Sequence, residues 1–540
     1  MSNYCSRCAQ IEIAPGTIMT FKLTYATMFS PPEEMHAAYE AAVSRAVQRL
    51  GGSHPLFIDG ADANGSSSFD KFNPADRSQL LGRFALAEIS DLERAVAAAR
   101  RASPAWQNTP AAERIRLARR AAQLLEQRVY AIAASLSLEV GKNRMEALGE
   151  AQEAADFFSC YAADFDRNGG FDRALPDDPL QGFKSHNRSV LKPYGVWAVI
   201  APFNFPLALA AGPTAAALVT GNCVVLKGSV ETPWAGRLLA DCIRDAGYPP
   251  GVFNYLNGGG ASIGAGLIGH PDIAGVTFTG SYEVGMAIHR SLIAGPYAKP
   301  CISEMGGKNA CIVTANADLD RAAAGIARSA YGMGGQKCSA LSRLYVESSV
   351  ADELIARLKA RVSALQVDEP TRRHVDLGPV ISASAANKFM EYSEALQSGG
   401  SAILTGGRRL TDGDFARGFY VAPTIAESPV RHPLFAQEMF LPILMLARVK
   451  HLDEAIDLAN DTSLGLTAGC YGNGAEIDRF AQRIQAGTIY LNRPQGATTG
   501  AWPGYQAFTG WKGSSSTGKA IGSFYYLPQY MREQSQTWVE

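Results

Sequence analysis

At 540 residues, with 47% hydrophobic side chains and 53 glycines, the chain has room for about three or four domains and the make-up of a large α/β protein. Fifty basic against 51 acidic residues leave a formal charge of −1, which provides no electrostatic footprint for nucleic acid or an anionic membrane and points to small-molecule partners. Nine cysteines, an odd number at scattered positions, argue against a disulfide framework and for a reducing compartment, of which the cytoplasm is the simplest.

The first ten residues are polar and lack the basic-then-apolar pattern of a secretory signal. Cys5 and Cys8 fall short of the four ligands of a structural zinc site, so no metal is expected. Residues 33–50 carry a helical period closed by Gly51 and Gly52. A long Ala/Arg/Glu-rich stretch from Ser90 to Phe165 reads as several amphipathic helices, and a Gly/Asp/Pro/Arg-rich stretch from Arg167 to Pro193 interrupts them. The window from Val196 to Val219 is long and apolar enough for a bilayer, but Pro202, Pro206 and Pro213 break it into a strand, a turn and a buried helix. From there strands at 196–201, 223–227, 252–256 and 276–279 alternate with helices at 206–220, 233–246, 261–269 and from 281. That alternation predicts a parallel sheet in a dinucleotide-binding domain. A second α/β unit starts near Gly306, with strands near 310–314, 342–346, 441–449 and 487–491 and helices at 318–331, 350–365, 452–460 and 475–485.

Three residues carry the candidate chemistry. Cys338 follows the small-residue turn Gly332, Met333, Gly334, Gly335, which leaves the thiol open and lets backbone amides turn inward. Glu304 ends a short apolar segment before Gly306 and Gly307, where partial burial raises a carboxyl toward a usable base. Asn204 is a polar amide among apolar neighbours and must aim its hydrogen bonds at something. Lys227 ends an apolar strand, where an ammonium can donate to ribose hydroxyls. Gly280, Ser281 and Gly285 mark a strand, a glycine and a helix start whose amides can receive a pyrophosphate.

Together these residues resemble the aldehyde dehydrogenase superfamily, from about Pro55 to the C-terminus. The resemblance implies that Cys338 attacks an aldehyde, that the Asn204 amide and the Cys338 backbone N–H hold the oxyanion, and that Glu304 activates water. It also implies NAD as cofactor, with Glu438 at the nicotinamide ribose and Phe440 beside it, and with Lys337 or the oxidised nicotinamide supplying positive charge near the thiol. Gly228, Ser229 and Val230 stand where the family has Pro-Ser/Ala-Glu; the missing acid leaves NADP use open. Presence of Glu304 favours hydrolysis over transfer to coenzyme A. Ser339 and the loop 492–512 resemble the 1-pyrroline-5-carboxylate (glutamate semialdehyde) branch, as does the helical leader. In that branch Ser339, Gly500 and Ala501 grip a substrate carboxylate, Phe205 and Phe508 form aromatic walls, and Glu153 faces the substrate. Ala507 and Thr509 replace the Pro and Gly usual beside that phenylalanine, and Trp502 and Pro503 add bulk, so another carboxylated semialdehyde or a broader aldehyde range stays open. A catalytically silent binding protein is the alternative of another class. The implied organisation is an N-terminal extension (1–52), an NAD-binding domain (53–172 and 193–305), a catalytic domain (306–510) and segments for homo-oligomer pairing (173–192 and 511–540).

Overall fold

The computed structural model describes residue 23 and residues 31–179, 181–497 and 502–540; Cys5, Cys8, Gly500 and Ala501 lie outside the described residues. Two seven-stranded sheets frame the fold. In the first, Cys301–Glu304, Ile273–Thr279, Val196–Ile200, Cys223–Gly228 and Phe253–Asn257 lie side by side in parallel, and the hairpin of Leu56–Ile58 and Ala61–Ala63 extends the far edge antiparallel. Strands Val196–Ile200 and Cys223–Gly228 are buried at every position, which explains why they read as unbroken apolar runs rather than alternating ones. Helices Ile89–Gln107 and Ala208–Val219 pack on them. The window at 196–219 is therefore a strand, a loop and a helix, and no described helix is long and apolar enough to cross a membrane.

The second sheet runs in the order Ala402–Thr405, Thr424–Glu427, Ile443–Val449, Leu341–Glu347, Asn309–Val313, Thr467–Tyr471, Thr488–Leu491 and is parallel except at its first strand. Sequence patterning misses Thr467–Tyr471, although it sits inside the sheet and is wholly buried, because a five-residue run of Thr, Ala, Gly, Cys and Tyr has no distinctive period. It also misses Thr424–Glu427, the helix Ala383–Ser398 and the antiparallel pair Ser67–Asn73 and Asp76–Leu86.

A third, antiparallel sheet joins Asp172–Leu175, Ser185–Pro193 and Met531–Val539, the last two in register from Met531 opposite Pro193 to Val539 opposite Ser185. Of the segment 511–540, only its final strand joins that sheet. Trp511–Lys512 pairs with Leu464–Gly465, residues 514–516 lie along Cys301–Glu304, and Tyr526 and Tyr530 are buried in the core of the first sheet, Tyr530 against Trp197. This tail covers the open edge of the first sheet: Met305 N–H donates to the Ser514 carbonyl at 2.8 Å and Ser516 N–H to the Ser303 carbonyl at 3.1 Å.

Strand Cys301–Glu304 passes through residues 305–308 directly into strand Asn309–Val313. The carboxyl ends of the first sheet's strands therefore face the amino ends of the second sheet's strands across one seam. The leading helix Glu33–Val47 bridges that seam at its rim. Tyr39 donates to Ser137 at 2.6 Å, and Glu40 accepts from Arg144 at 3.1 Å on one side and Arg373 at 2.6 Å on the other.

Candidate functional site

Open parallel sheets present ligand-binding residues at their strand carboxyl ends, and the first sheet supplies the seam in this way. Asn204 lies in the loop after Val196–Ile200, Lys227 near the end of Cys223–Gly228, Ser281 two residues after Ile273–Thr279, and Glu304 ends its own strand. The second sheet contributes from its amino ends. Cys338 precedes Leu341–Glu347, and Glu438 and Phe440 precede Ile443–Val449. Asn309 fastens these amino ends together: its side-chain amide donates to the carbonyls of Cys338 (2.6 Å) and Ala340 (2.8 Å), and its oxygen accepts the Thr467 N–H at 2.9 Å. Gly307 has no room for a side chain, since a Cβ there would meet the Cys338 carbonyl at 2.4 Å.

Cys338 retains partial solvent access. Its thiol is pushed up to about 12, by burial first and then by the Glu438 and Glu304 carboxylates, while the Ser339 amide and the Lys337 ammonium act in the opposite direction. Lys337 is itself buried, and burial lowers it to about 8. Glu304 is also buried and is raised to about 8 by burial, which the Ser515 hydroxyl, donating to Oε1 at 3.2 Å, partly opposes. The other oxygen, Oε2, has no partner among the described residues. A carboxyl that titrates near neutrality and keeps one unengaged oxygen can take a proton from water. Asn204, 4% exposed, donates from Nδ2 to the carbonyl of Gln336 at 3.0 Å, which ties its loop to the loop that carries Cys338. Cys338, Glu304 and Asn204 are thus brought to one place.

The cleft beside them has the chemistry of a dinucleotide site. The Lys227 ammonium, buried and lowered to about 8 by that burial, donates to the Gly228 carbonyl at 3.0 Å, and its methylenes lie against Gly264. Around Gly260 a Cβ would meet nothing within 4 Å, so the backbone there is open to a ligand's approach. Ser281 caps the helix Tyr282–Ile293, whose first turn is exposed and turns helix amides toward the cleft. Two glycines do something other than expected. The Gly280 amide is taken by the Glu304 carbonyl at 3.1 Å, and the Cβ position of Gly285 is filled by Met305 and Phe278, so Gly285 serves helix-to-strand packing rather than an anion. Val230 is 37% exposed, and the neighbouring Glu231 pairs with Lys71 at 3.6 Å.

Glu438 accepts the Gly307 N–H at 2.8 Å and lies against Gly306, where a Cβ would fall 2.2 Å from Oε2. Burial raises it to about 7, against the pull of the Gly307 amide and Lys308. Phe440 adopts a left-handed φ of 58° and meets Phe203 edge-on, with ring centroids 5.8 Å apart. Those residues fit a dinucleotide: a buried ammonium at a strand end, an exposed helix start, an open glycine and a carboxylate on the opposite wall.

On the substrate side, Ser339 is buried beside the thiol, Phe508 packs into the first core, and Phe205 lies under the Lys142 ammonium at 3.8 Å from the ring centroid. Glu153 is buried, and burial and then Glu150 raise its carboxyl well above the ordinary range. Sequence reasoning misses Ser515, Glu146, Glu150 and Lys142. Glu146 and Glu150 show in the sequence only as a polar spacing on one helix face, which solvated helices also display, and Lys142 only as a charge two residues before that helix.

The aldehyde dehydrogenase family matches residues 61–535. A 1-pyrroline-5-carboxylate dehydrogenase of Geobacillus thermodenitrificans (strain NG80-2) is 36% identical over 496 residues, 91% of this chain and 94% of that protein. A crystal structure of 1-pyrroline-5-carboxylate dehydrogenase from Thermus with bound NAD superposes with a TM-score of 0.89 at 34% identity, covering 97% of this chain and 100% of that one. Betaine aldehyde dehydrogenase from Staphylococcus aureus in complex with NAD+ does so at 0.85 and 26% identity, covering 91% and 95%.

Proposed function

This chain belongs to the aldehyde dehydrogenase family, and on that premise we propose that it oxidises L-glutamate 5-semialdehyde, the open form of 1-pyrroline-5-carboxylate, to L-glutamate with NAD as cofactor. The observation that carries this reading is the convergence of Cys338, Glu304 and Asn204 at one seam beside a cleft suited to a dinucleotide. Lys227, the helix start at Ser281 and Glu438 would hold the cofactor, which when bound supplies a hydride acceptor.

The Cys338 sulfur forms a bond to the aldehyde carbon, and the carbonyl electrons move to oxygen. Asn204 Nδ2 and the Cys338 backbone N–H donate to that oxyanion. As the C=O bond re-forms, the carbon loses hydride and a thioester remains on Cys338. Glu304 then takes a proton from water, whose oxygen attacks the thioester carbon; collapse expels the Cys338 thiolate and leaves the carboxylic acid. Thiol ionisation before the first step, with the proton released to solvent, is favoured by the Ser339 amide and Lys337 and opposed by the Glu438 and Glu304 carboxylates; burial keeps Glu304 largely protonated at that stage, and Glu304 releases that proton to solvent before it acts as the base in the second step.

Ser339 serves as the hydroxyl side of a carboxylate anchor. On that basis glutamate semialdehyde exceeds butanal or pentanal in kcat/KM by at least about 10²-fold, and Ser339→Ala shrinks the preference. The test is a panel of aldehydes followed by NADH absorbance. Parity with the uncharged aldehydes removes the anchor and leaves a broad aldehyde dehydrogenase. A clear win by a shorter or longer semialdehyde supports a second reading, in which the buried Trp502, which follows Ala501 in sequence, has reset the pocket depth together with Pro503, Ala507 and Thr509. Exposed Val230, with Glu231 held by Lys71, supports use of NADP beside NAD. We assign the enzyme to the cytoplasm and to a homodimer or higher assembly; the seven described cysteines, all unpaired, support the first, and the exposed apolar side chains Trp538, on the third sheet, and Phe183, two residues before its strand Ser185–Pro193, support the second.

A further inference from the structure

Helix Arg144–Arg167 turns one face to the seam, and three carboxylates stand on it at the i, i+4, i+7 spacing: Glu146, which is half-buried, and Glu150 and Glu153, which are buried. Glu150 holds the Asn204 loop. Its Oε1 accepts the backbone N–H groups of Leu207 (2.8 Å) and Ala208 (3.1 Å), and its Oε2 pairs with Lys142, the ammonium that lies over Phe205. Glu146 holds the other loop. Its Oε1 accepts the Met333 N–H at 2.6 Å, while Oε2 accepts the amide of the helix's own cap, Asn143, at 3.3 Å. Met333 opens a run of three left-handed residues, with φ of 53°, 60° and 69° at Met333, Gly334 and Gly335, and it is the one of the three that carries a side chain. L-residues rarely adopt that conformation, and it persists where surrounding contacts over-determine it. The shorter bond of Glu146 thus reaches across 187 positions to the turn that delivers Cys338. The two anchored loops meet where Asn204 donates to the Gln336 carbonyl at 3.0 Å.

We propose that Glu146 is a positioning residue for the Cys338 loop: the helix, fixed to the Asn204 loop through Glu150, uses the Glu146 carboxylate on the Met333 amide to set where the thiol stands relative to the Asn204 amide. Four residues of helix separate the two anchors, a rise of about 6 Å, so their mutual distance is set by a rigid element rather than by either loop. This rests on the reading of Cys338 as nucleophile and Asn204 as oxyanion donor. Glu146 also faces the Lys337 and Lys142 ammonium groups. A purely electrostatic role, supporting the charge of Lys337 next to the thiol, is therefore the competing account, and it predicts the opposite ranking of two conservative variants.

Glu146→Gln keeps an acceptor at the same reach and removes the charge; Glu146→Asp keeps the charge and withdraws it by one methylene. The measurement is the rate constant of the NADH burst with glutamate semialdehyde and saturating NAD, together with the rate of iodoacetamide alkylation of Cys338, with NAD affinity and melting temperature as controls. Positioning predicts that Glu146→Gln stays within about threefold of the parent and that Glu146→Asp loses at least about 10-fold in the burst, with NAD affinity unchanged in both. The reverse ranking, or parental bursts in both, overturns the proposal. A loss in both variants accompanied by a lower melting temperature assigns Glu146 to folding and overturns it as well. If the parent enzyme shows no burst that Cys338→Ala abolishes, the underlying functional reading fails first, before any Glu146 variant is compared.

Discussion

Glu304 accepts the Ser515 hydroxyl on one oxygen and has no partner for the other among the described residues, and its burial fixes the direction of its pH response. The basic form is the carboxylate. With burial raising the group to about 8, that form is a minor fraction at pH 6 to 7, so hydrolysis of the thioester should rise about tenfold per pH unit below 8 and level off above it. Steady-state turnover after the burst measures this, and a limb that levels off near pH 5 would remove Glu304 from the step. Ser515→Ala deletes the hydrogen bond that lowers the group, so its limb should lie at higher pH than the parent's. Replacing the oxyanion donor, Asn204→Ala, should reduce kcat by roughly 10²- to 10³-fold. An unchanged kcat would leave Asn204 only its bond to Gln336.

At the scale of elements, distant carboxylates repeatedly supply what a helix start lacks. Glu139 accepts the N–H groups of Trp234 (2.6 Å) and Ala235 (3.1 Å) at the beginning of helix Pro233–Ala246, a buried end with no side-chain cap of its own. Glu139→Ala leaves two buried donors unpaired, at about 1–3 kcal/mol each, and should lower the melting temperature well beyond the effect of Glu139→Gln. Thermal unfolding followed by circular dichroism separates the two; equal losses would mean that packing volume, not hydrogen bonding, is at stake. Such pairings also mark the limit of what sequence conveys. Strands Val196–Ile200 and Cys223–Gly228 are legible because burial on both faces leaves an unbroken apolar run, and the turn before Cys338 is legible from its glycines. Thr467–Tyr471 is not, since small residues inside a sheet have no period to read. Cys338, Glu304 and Asn204 are found by their motifs and neighbours. Ser515 and Glu146 act on partners 211 and 187 positions away, and no local pattern announces a contact made by tertiary folding. Gly280 and Gly285 show the converse, a spacing that suggests an anion site where one amide is already engaged and one glycine is there for close packing.

At the scale of the whole molecule, the third sheet stands apart from the seam and is completed by its last strand. Removing residues 531–540 strips a nine-residue ladder from Ser185–Pro193 and exposes a strand edge. On the proposal that this sheet pairs subunits, the truncated chain should have the mass of a monomer while retaining NAD binding, as light scattering and cofactor fluorescence would show; a mass equal to that of the full chain would remove the sheet from subunit pairing. The covering of strand Cys301–Glu304 by residues 514–516 has a consequence in time. The strand is synthesised 211 positions before the serine that engages its glutamate. At about 5–20 residues per second that interval is on the order of ten to forty seconds. Throughout it, the nascent first half carries an open parallel edge with a buried-type carboxyl at its end, free to pair with any extended chain nearby.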